Sequence, residues 1–177
     1  GIGRIAARST SSAAEAGEET ASLGSRAAAA SEVGESEGLQ TESLGACSSF
    51  EAGTLIATVN GEVPIEKVKL GDWVLASDAL SGQLEQRRVS ATYQRTVDQS
   101  VRLTASDGDV IVATVEHPFL RSDGQWIEAK SLTLGDQILT GDQQLLTLVD
   151  IAEQPGTLTV HNISVDGLHT FLVSASG

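Results

Sequence analysis

The stretch Cys47-Ser-Ser-Phe-Glu-Ala-Gly-Thr-Leu-Ile-Ala-Thr58, which continues through Pro64 to Asp78, separates two kinds of sequence. The residues before it are rich in Ala, Ser, Glu and Gly and include no aromatic side chain. After it come alternating apolar positions, turn signals, both tryptophans and all three histidines. The stretch also holds the only cysteine of the 177 residues. We therefore interpret Cys47 as the first residue of a folded domain and as a candidate for chemistry.

The composition excludes several classes of protein. A formal net charge of −13 argues against nucleic acid and against an anionic membrane surface as partners, because both need clustered Lys or Arg. One cysteine forms no internal disulfide, and no apolar run approaches the ~18 residues of a membrane span. The chain has no methionine, not even at position 1, so we expect it to be a piece of a longer polypeptide.

The division into two kinds of sequence predicts two regions. Residues 1–46 predict a flexible or partly helical linker, since their Ala and Glu favour helix but offer no apolar stripe to bury. Residues 47–177 are numerous enough for one ordinary hydrophobic core.

From Thr54 onward the pattern predicts an all-β domain. Asn60-Gly61 is a strong hairpin signal, and Ser106-Asp-Gly-Asp109 lies between two alternating runs that predict a second hairpin. Only Glu128–Leu132 is compatible with a helical turn. The predicted strands are Thr54–Val59, Glu62–Glu66 after the Asn60-Gly61 turn, the end of Val68–Asp78, Arg88–Val97, Val101–Ala105, Val110–Thr114, Trp126–Glu128, Gln137–Thr140, Leu145–Ile151, Thr157–Val165 and Thr170–Ser174. Short strands with turns between them are typical of a barrel or sandwich.

An internal repeat indicates two similar halves. Val68-Lys-Leu-Gly-Asp-Trp-Val-Leu-Ala-Ser-Asp78 reappears as Leu132-Thr-Leu-Gly-Asp-Gln-Ile-Leu-Thr-Gly-Asp142, displaced by 64 residues from Gly71 to Gly135. Two copies are too few for a solenoid and fit two β halves related by a pseudo-two-fold axis. The alternative is coincidence among Gly-Asp turns.

Five residues can carry chemistry before any family is considered. A nucleophilic Cys47 needs a partner that moves protons, usually a histidine. Thr114 and His117 follow a predicted strand, and they would project to opposite faces of a straight strand, so a turn or bulge is required if they cooperate. His161 and His169 lie in or before later strands.

Each of these residues also has an ordinary explanation. A single cysteine is often a small buried residue, and a lone histidine is often a satisfied polar residue. The three histidines and one cysteine lack the close paired spacing of structural zinc, so we expect no metal. Asn162-Ile-Ser164 fits a glycosylation sequon, but the segment is predicted to be a strand.

Three blocks in order resemble the hedgehog/intein (Hint) superfamily, and are most similar to its bacterial pretoxin-type, polymorphic-toxin members. These blocks are the Cys47-led opening, Thr114-Val-Glu-His-Pro-Phe119, and Thr159-Val-His-Asn-Ile-Ser-Val-Asp-Gly-Leu-His-Thr-Phe171. The resemblance implies a pseudo-two-fold horseshoe of short antiparallel strands, which agrees with the repeat. It also implies a place within a large bacterial secreted or cell-surface protein.

The resemblance implies a self-cleavage mechanism without cofactor. Cys47 would attack the carbonyl of Ala46 in an N-to-S acyl shift, and His117 would donate the proton to the leaving nitrogen with support from Thr114. Water or a thiol would then release the upstream chain. The reaction is a single turnover on the protein's own backbone, so its partners are the flanking polypeptides and no external substrate is expected.

The late block departs from the resemblance in two places. Asn162 stands where a proton-donating acid or a thiol is usual, so we expect it to be a hydrogen-bonding support. His169 matches the histidine that assists C-terminal cleavage, but the closing His-Asn pair is absent from this sequence. The chain would then cut at Cys47 without splicing. If Asn162 were itself the cyclising residue, Ile163 would follow, and Ile163 lacks the nucleophile that splicing needs.

Two other functions stay open from sequence alone. One is an inactive Hint fold that serves as a structural joint. The other is a secreted β adhesion or carbohydrate-binding module, which is disfavoured because two Trp and one Tyr offer few rings for sugar stacking.

Overall fold

The computed structural model describes residues 5–8, 48–78, 83–141, 143–167 and 170–174. Within these ranges the chain forms twelve strands and two short 3₁₀ helices, Ile65–Lys67 and Ala129–Ser131. The strands are β1 (Ile5–Arg8), β2 (Phe50–Glu51), β3 (Leu55–Thr58), β4 (Gly61–Pro64), β5 (Trp73–Ser77), β6 (Leu84–Ala105), β7 (Val110–Thr114), β8 (Pro118–Leu120), β9 (Trp126–Glu128), β10 (Gln137–Leu139), β11 (Leu145–Val165) and β12 (Thr170–Ser174). The all-β prediction is confirmed.

The strands form two antiparallel sheets whose orders are symmetric. One sheet runs β4-β3-β12-β1-β8-β9, and the other runs β10-β11-β2-β7-β6-β5 with a further pairing of β6 to β11. If β2–β6 are exchanged one for one with β7–β11, and β1 with β12, the strand order of each sheet becomes the same order read backwards. This is the pseudo-two-fold arrangement that the repeat predicted.

Equivalent hydrogen bonds confirm that the repeat is structural. A 3₁₀ helix precedes each copy. In the first copy the Asp72 carboxylate accepts a hydrogen bond from Lys69 N at 2.8 Å, and in the second the Asp136 carboxylate accepts one from Thr133 N at 2.8 Å. Each aspartate therefore closes the same turn ahead of a short strand, and the coincidence of two Gly-Asp turns is excluded.

The two longest strands correct the predicted strand boundaries. Strands β6 and β11 span 22 and 21 residues and pair with each other along most of their length. The sequence predicted a break in each strand, at residues 98–100 in β6 and at residues 152–156 in β11. The ladder instead shifts register between Pro155 and Leu158, and Gly156 adopts a φ of 128° there. A bulge thus absorbs the proline and the glycine without ending the strand.

Strand β1 corrects part of the predicted linker. Ile5–Arg8 lies inside the first sheet, between β12 and β8, although residues 1–46 were expected to precede the domain. The strand belongs to the same unit of the chain as Ala46–Gly177. The strand was missed because its apolar face consists of only Ile5 and Ala7, two positions apart. Two residues are too few to reveal a strand by alternation. The second unit, Ser12–Gly45, lies outside the described residues.

The core joins both sheets and contains all three phenylalanines of the chain. Phe50, Phe119 and Phe171 are fully buried, together with Ile56 and Ile138. None of the helices in the described ranges has the length and apolar character that crossing a membrane requires.

Candidate active site

The candidate site forms where strand β7 ends. Thr114 is the last residue of β7, and the chain turns through Val115 and Glu116 before Pro118 opens β8. His117 N donates a hydrogen bond to Thr114 O at 2.9 Å, which closes this turn. Both Thr114 and His117 are buried. The structure therefore contains the turn that Thr114 and His117 need if they are to act together.

Thr114 holds the segment that follows Cys47 in the sequence. Its hydroxyl oxygen accepts a hydrogen bond from Ser49 N at 3.1 Å, and its own backbone N donates to Ser49 O at 2.9 Å. The hydroxyl had been expected to support His117 directly. In the structure the link to His117 is the backbone bond of the turn, whereas the hydroxyl fixes Ser49.

His117 is enclosed by aromatic rings. Its ring centroid lies 4.1 Å from that of Phe50 and 5.0 Å from that of Phe119. Phe50 in turn contacts Phe171 edge to face, with centroids 6.2 Å apart. No solvent reaches the imidazole, and neither ring nitrogen has a hydrogen-bond partner among the described residues.

This enclosure sets the charge of the imidazole. Burial disfavours the charged form and lowers the pKa of His117 from 6.5 to about 3. His117 is therefore neutral at physiological pH, with one nitrogen able to donate a hydrogen bond and the other able to accept one. Buried polar groups are nearly always paired, so two unpaired nitrogens mark a place where a further group is expected.

Asn162 lies on the other side of the segment that follows Cys47. It is buried in β11, and its side-chain oxygen accepts a hydrogen bond from Ile163 N at 2.8 Å. Strands β11 and β2 are antiparallel, and His161 pairs with Phe50. The next position along this register places Asn162 opposite Ser49. Since β2 is flanked by β11 and β7, Asn162, Ser49 and Thr114 lie at one level across three neighbouring segments.

The remaining predicted site residues, Ala46, Cys47 and His169, lie outside the described residues. Their nearest described neighbours along the chain are Ser48 and Thr170, and both are buried. The Ser48 hydroxyl has no hydrogen-bond partner within the described part of the chain. In that same part, no three His, Cys, Asp or Glu side chains come together as a metal site would require.

The phenylalanines around His117 were missed in the sequence. Phe50 follows Cys47 by three residues, Phe119 follows His117 by two, and Phe171 follows His169 by two. A phenylalanine therefore follows Cys47, His117 and His169 within three residues, and this spacing was the available signal. The role of Ser49 had no signal, because its described bonds to Thr114 are made by its backbone.

Comparisons with known proteins support the fold. A bacterial intein-like domain from Clostridium thermocellum is 32% identical, covers 73% of this chain and 98% of its own, and superposes with a TM-score of 0.68. A DnaB intein from Synechocystis sp. shares 24% identity and a TM-score of 0.63, with coverage of 73% and 99%. The second likeness shows the fold alone.

A curated relative matches a smaller part of the chain. The DNA-directed RNA polymerase III subunit rpc2 of Dictyostelium discoideum is 29% identical over 90 residues, which are 48% of this chain and 6% of that protein. The chain therefore spans a small fraction of that relative's length. The family model of the pretoxin HINT domain matches residues 55–177. Because this match covers more than half of the sequence, the chain belongs to the pretoxin HINT domain family.

Proposed function

We propose that this domain cuts its own chain once, at the peptide bond between Ala46 and Cys47. The family and the intein fold support an autoprocessing module in general. The observation that carries the specific reaction is a buried, neutral histidine whose ring nitrogens have no partner among the described residues. A turn joins His117 to Thr114, and Thr114 is bonded to Ser49, two residues after the proposed nucleophile.

The proposed chemistry consumes one water. The Cys47 thiol gives its proton to the neutral imidazole of His117, and its sulfur attacks the Ala46 carbonyl carbon, forming a C–S bond. The C–N bond to Cys47 then breaks, and the nitrogen takes up a proton to become a free amine. Water, or first a small thiol, attacks the thioester, so that the Ala46 carboxylate leaves and the Cys47 thiol is regenerated.

His117 supplies the proton to the departing nitrogen. An amide nitrogen is a poor leaving group until it is protonated. An imidazolium whose pKa is lowered to about 3 gives up its proton readily, while the neutral form donates a hydrogen bond that polarises the peptide. In this proposal the scissile peptide is the partner of the unpaired ring nitrogens, since Ser49, two residues after Cys47, is bonded to Thr114 and a turn joins Thr114 to His117.

Two further residues support the reaction in this proposal. The amide of Asn162 uses its oxygen on Ile163 N, which leaves its NH₂ group to donate toward the peptide rather than to act as an acid. His169 assists cleavage on the downstream side when a closing His-Asn pair is present. The partners are the flanking polypeptides of a larger toxin-like protein.

Intact mass under denaturing conditions tests the proposal. The purified chain is incubated with dithiothreitol near pH 8, where the cysteine begins to ionise. We expect two masses, residues 1–46 and residues 47–177, from the native sequence and one uncut mass from Cys47→Ala. His117→Gln should slow cleavage by roughly 10²- to 10⁴-fold, the usual contribution of general acid catalysis.

His161→Gln is the matched control, since His161 is adjacent to Asn162 but has no role in the mechanism. It should cleave at the native rate. If the native chain keeps its full mass in every thiol and at every pH, the proposal is wrong and the inactive structural joint is favoured.

A further inference from the structure

Strand β1 is an inner strand of its sheet, although residues 9–54 separate it in the sequence from β3, the next strand of that sheet. It pairs with β12 through four residues, from Ile5 with Val173 to Arg8 with Thr170. On its other side Ala7 pairs with Phe119 of β8, and Ile5 bridges to Thr140. The backbone of β1 is therefore held from both sides.

The side chains of β1 add to this attachment. Ile5 is 4% exposed, Ala7 is fully buried, and both belong to the main core. The exposed Arg8 places its guanidinium carbon 5.6 Å from the ring centroid of Trp126 in β9, a cation–π distance. The strand is thus anchored by two buried apolar residues and by one contact at its end.

The symmetry of the sheet explains why this position must be filled. Under the pseudo-two-fold exchange β12 corresponds to β1. Strand β12 packs on β3 of the first half, so the second half needs an equivalent strand on β8. The repeat contains no strand for that position, and Ile5–Arg8 supplies it. An empty position would leave the edges of β8 and β12 unpaired and expose core residues such as Phe119.

We infer that the domain retains the upstream product after cleavage, with Ile5–Arg8 held as an inner strand in a non-covalent two-chain complex. This inference rests on the proposed cleavage at Ala46–Cys47. Arg8 precedes that bond by 38 residues, from 8 to 46. Cutting the bond therefore breaks no hydrogen bond or packing contact of β1. Cleavage changes the connectivity of the chain and leaves the first sheet intact.

An engineered cut separates this inference from the activity of Cys47. A site for a specific protease, flanked by Gly and Ser, is inserted between Glu19 and Thr20 of the full chain carrying Cys47→Ala. After digestion, denaturing gels show that the chain is cut, and size-exclusion chromatography with native mass spectrometry shows whether the pieces stay together. We expect one complex with the mass of the uncut monomer.

Three other results would overturn the inference. Separate elution of the two pieces in native buffer means that β1 does not hold the product. A complex at twice the monomer mass means that β1 is exchanged with a second copy. Binding that persists when β1 is disrupted means that another part of residues 1–19 holds the product.

Two variants of the digested chain test that last outcome. Ala7→Asp places a carboxylate at a fully buried position and should weaken the complex by at least ~100-fold, since an unpaired buried charge is costly. Arg8→Asp places the same carboxylate on the exposed end and should weaken it by less than ~10-fold. If Ala7→Asp does not fold before digestion, the unmutated chain still gives a clear result.

The two proposals fail in distinguishable ways. If the native chain stays uncut with dithiothreitol but the pieces of the engineered chain stay together, the self-cleavage is contradicted and the attachment of β1 is supported. If the native chain is cut at Cys47 and its two pieces then separate in native buffer, the self-cleavage is supported and the retention of the upstream product is contradicted.

Discussion

His117 combines two properties that rarely occur together in one residue. It is fully buried among phenylalanine rings, and both of its ring nitrogens lack a partner within the described ranges. A purely structural histidine at this position would be expected to hydrogen-bond, because an unpaired buried polar group costs about 1–3 kcal/mol. The enclosure keeps the imidazole neutral and dry, so that it can accept the Cys47 proton in the proposed reaction and, once charged, release it readily to the departing nitrogen.

The Thr114 hydroxyl gives a prediction at the residue scale. Thr114→Val keeps the shape of the side chain but removes the acceptor of Ser49 N, which is 3.1 Å away. A lost buried acceptor costs about 1–3 kcal/mol, so the Ser49 amide should exchange its hydrogen about tenfold faster or more. Hydrogen exchange followed by NMR measures this rate.

Thr114→Ser is the matched control for that measurement. It retains the hydroxyl and loses one methyl group, so global stability should fall by about 1 kcal/mol while the Ser49 amide stays selectively protected. Equal exchange of Ser49 in the valine and serine variants would contradict the role given to the hydroxyl.

At the scale of elements, the two repeat turns are the clearest match between sequence and structure. Gly71 and Gly135 both adopt left-handed backbone, with φ of 88° and 89°. Each is followed by an aspartate whose carboxylate closes the turn. The same short motif therefore folds in the same way twice, because its geometry is set by local bonds.

Substitution of these glycines should affect both halves alike. Gly135→Ala should destabilise the fold by about 1–2 kcal/mol, since a Cβ is disfavoured in left-handed backbone. The cost is conformational, because a Cβ at Gly135 meets no atom within 4 Å. Gly71→Ala should cost a similar amount, with its nearest contact an ordinary 3.5 Å to the Arg88 side chain. Urea unfolding measures both.

The control for the glycine series is asparagine. Gly135→Asn should cost clearly less than Gly135→Ala, because Asn tolerates left-handed backbone. Equal costs for the two variants would argue against backbone strain as the cause.

For the molecule as a whole, buried His117 links stability to pH. Its pKa is 6.5 when exposed and about 3 in the fold, so the unfolded chain binds more protons between these values. Stability is therefore unaffected above pH 6.5 and is lost as the pH falls through that window. Relative to pH 7, the loss at pH 5 should be about 2 kcal/mol.

His117→Phe isolates this contribution from that of the carboxylates. Phenylalanine is an apolar ring like its neighbours Phe50 and Phe119 and does not titrate, so the variant should gain about 2 kcal/mol on the native chain between pH 7 and pH 5. Chemical denaturation of both proteins at the two pH values gives the difference. Parallel stability curves would show that His117 is not neutral and buried in the fold.

Part of the fold and of the candidate site could be predicted because the signals are local. Alternation predicted strands such as Trp126–Glu128 and Thr170–Ser174 with the bounds that the structure has. Strand β2, of two residues, was not predicted because it is too short to show alternation, and β8 was not predicted because it begins at Pro118, which has no N–H to donate to a neighbouring strand. The turn between Thr114 and His117 followed from the requirement that two polar residues face one site.

By itself, the sequence determined the all-β class, the repeated turns and the chemical types at the candidate site, since these depend on neighbours within a few residues. Only the tertiary structure decided that Ile5–Arg8 is an inner strand and that the Thr114 hydroxyl binds Ser49 N. It also decided that Phe50, 67 residues earlier in the chain, packs against His117 and that Phe171 packs against Phe50. These features join residues far apart in the chain, and backbone pairing and burial leave no local pattern by which to recognise them.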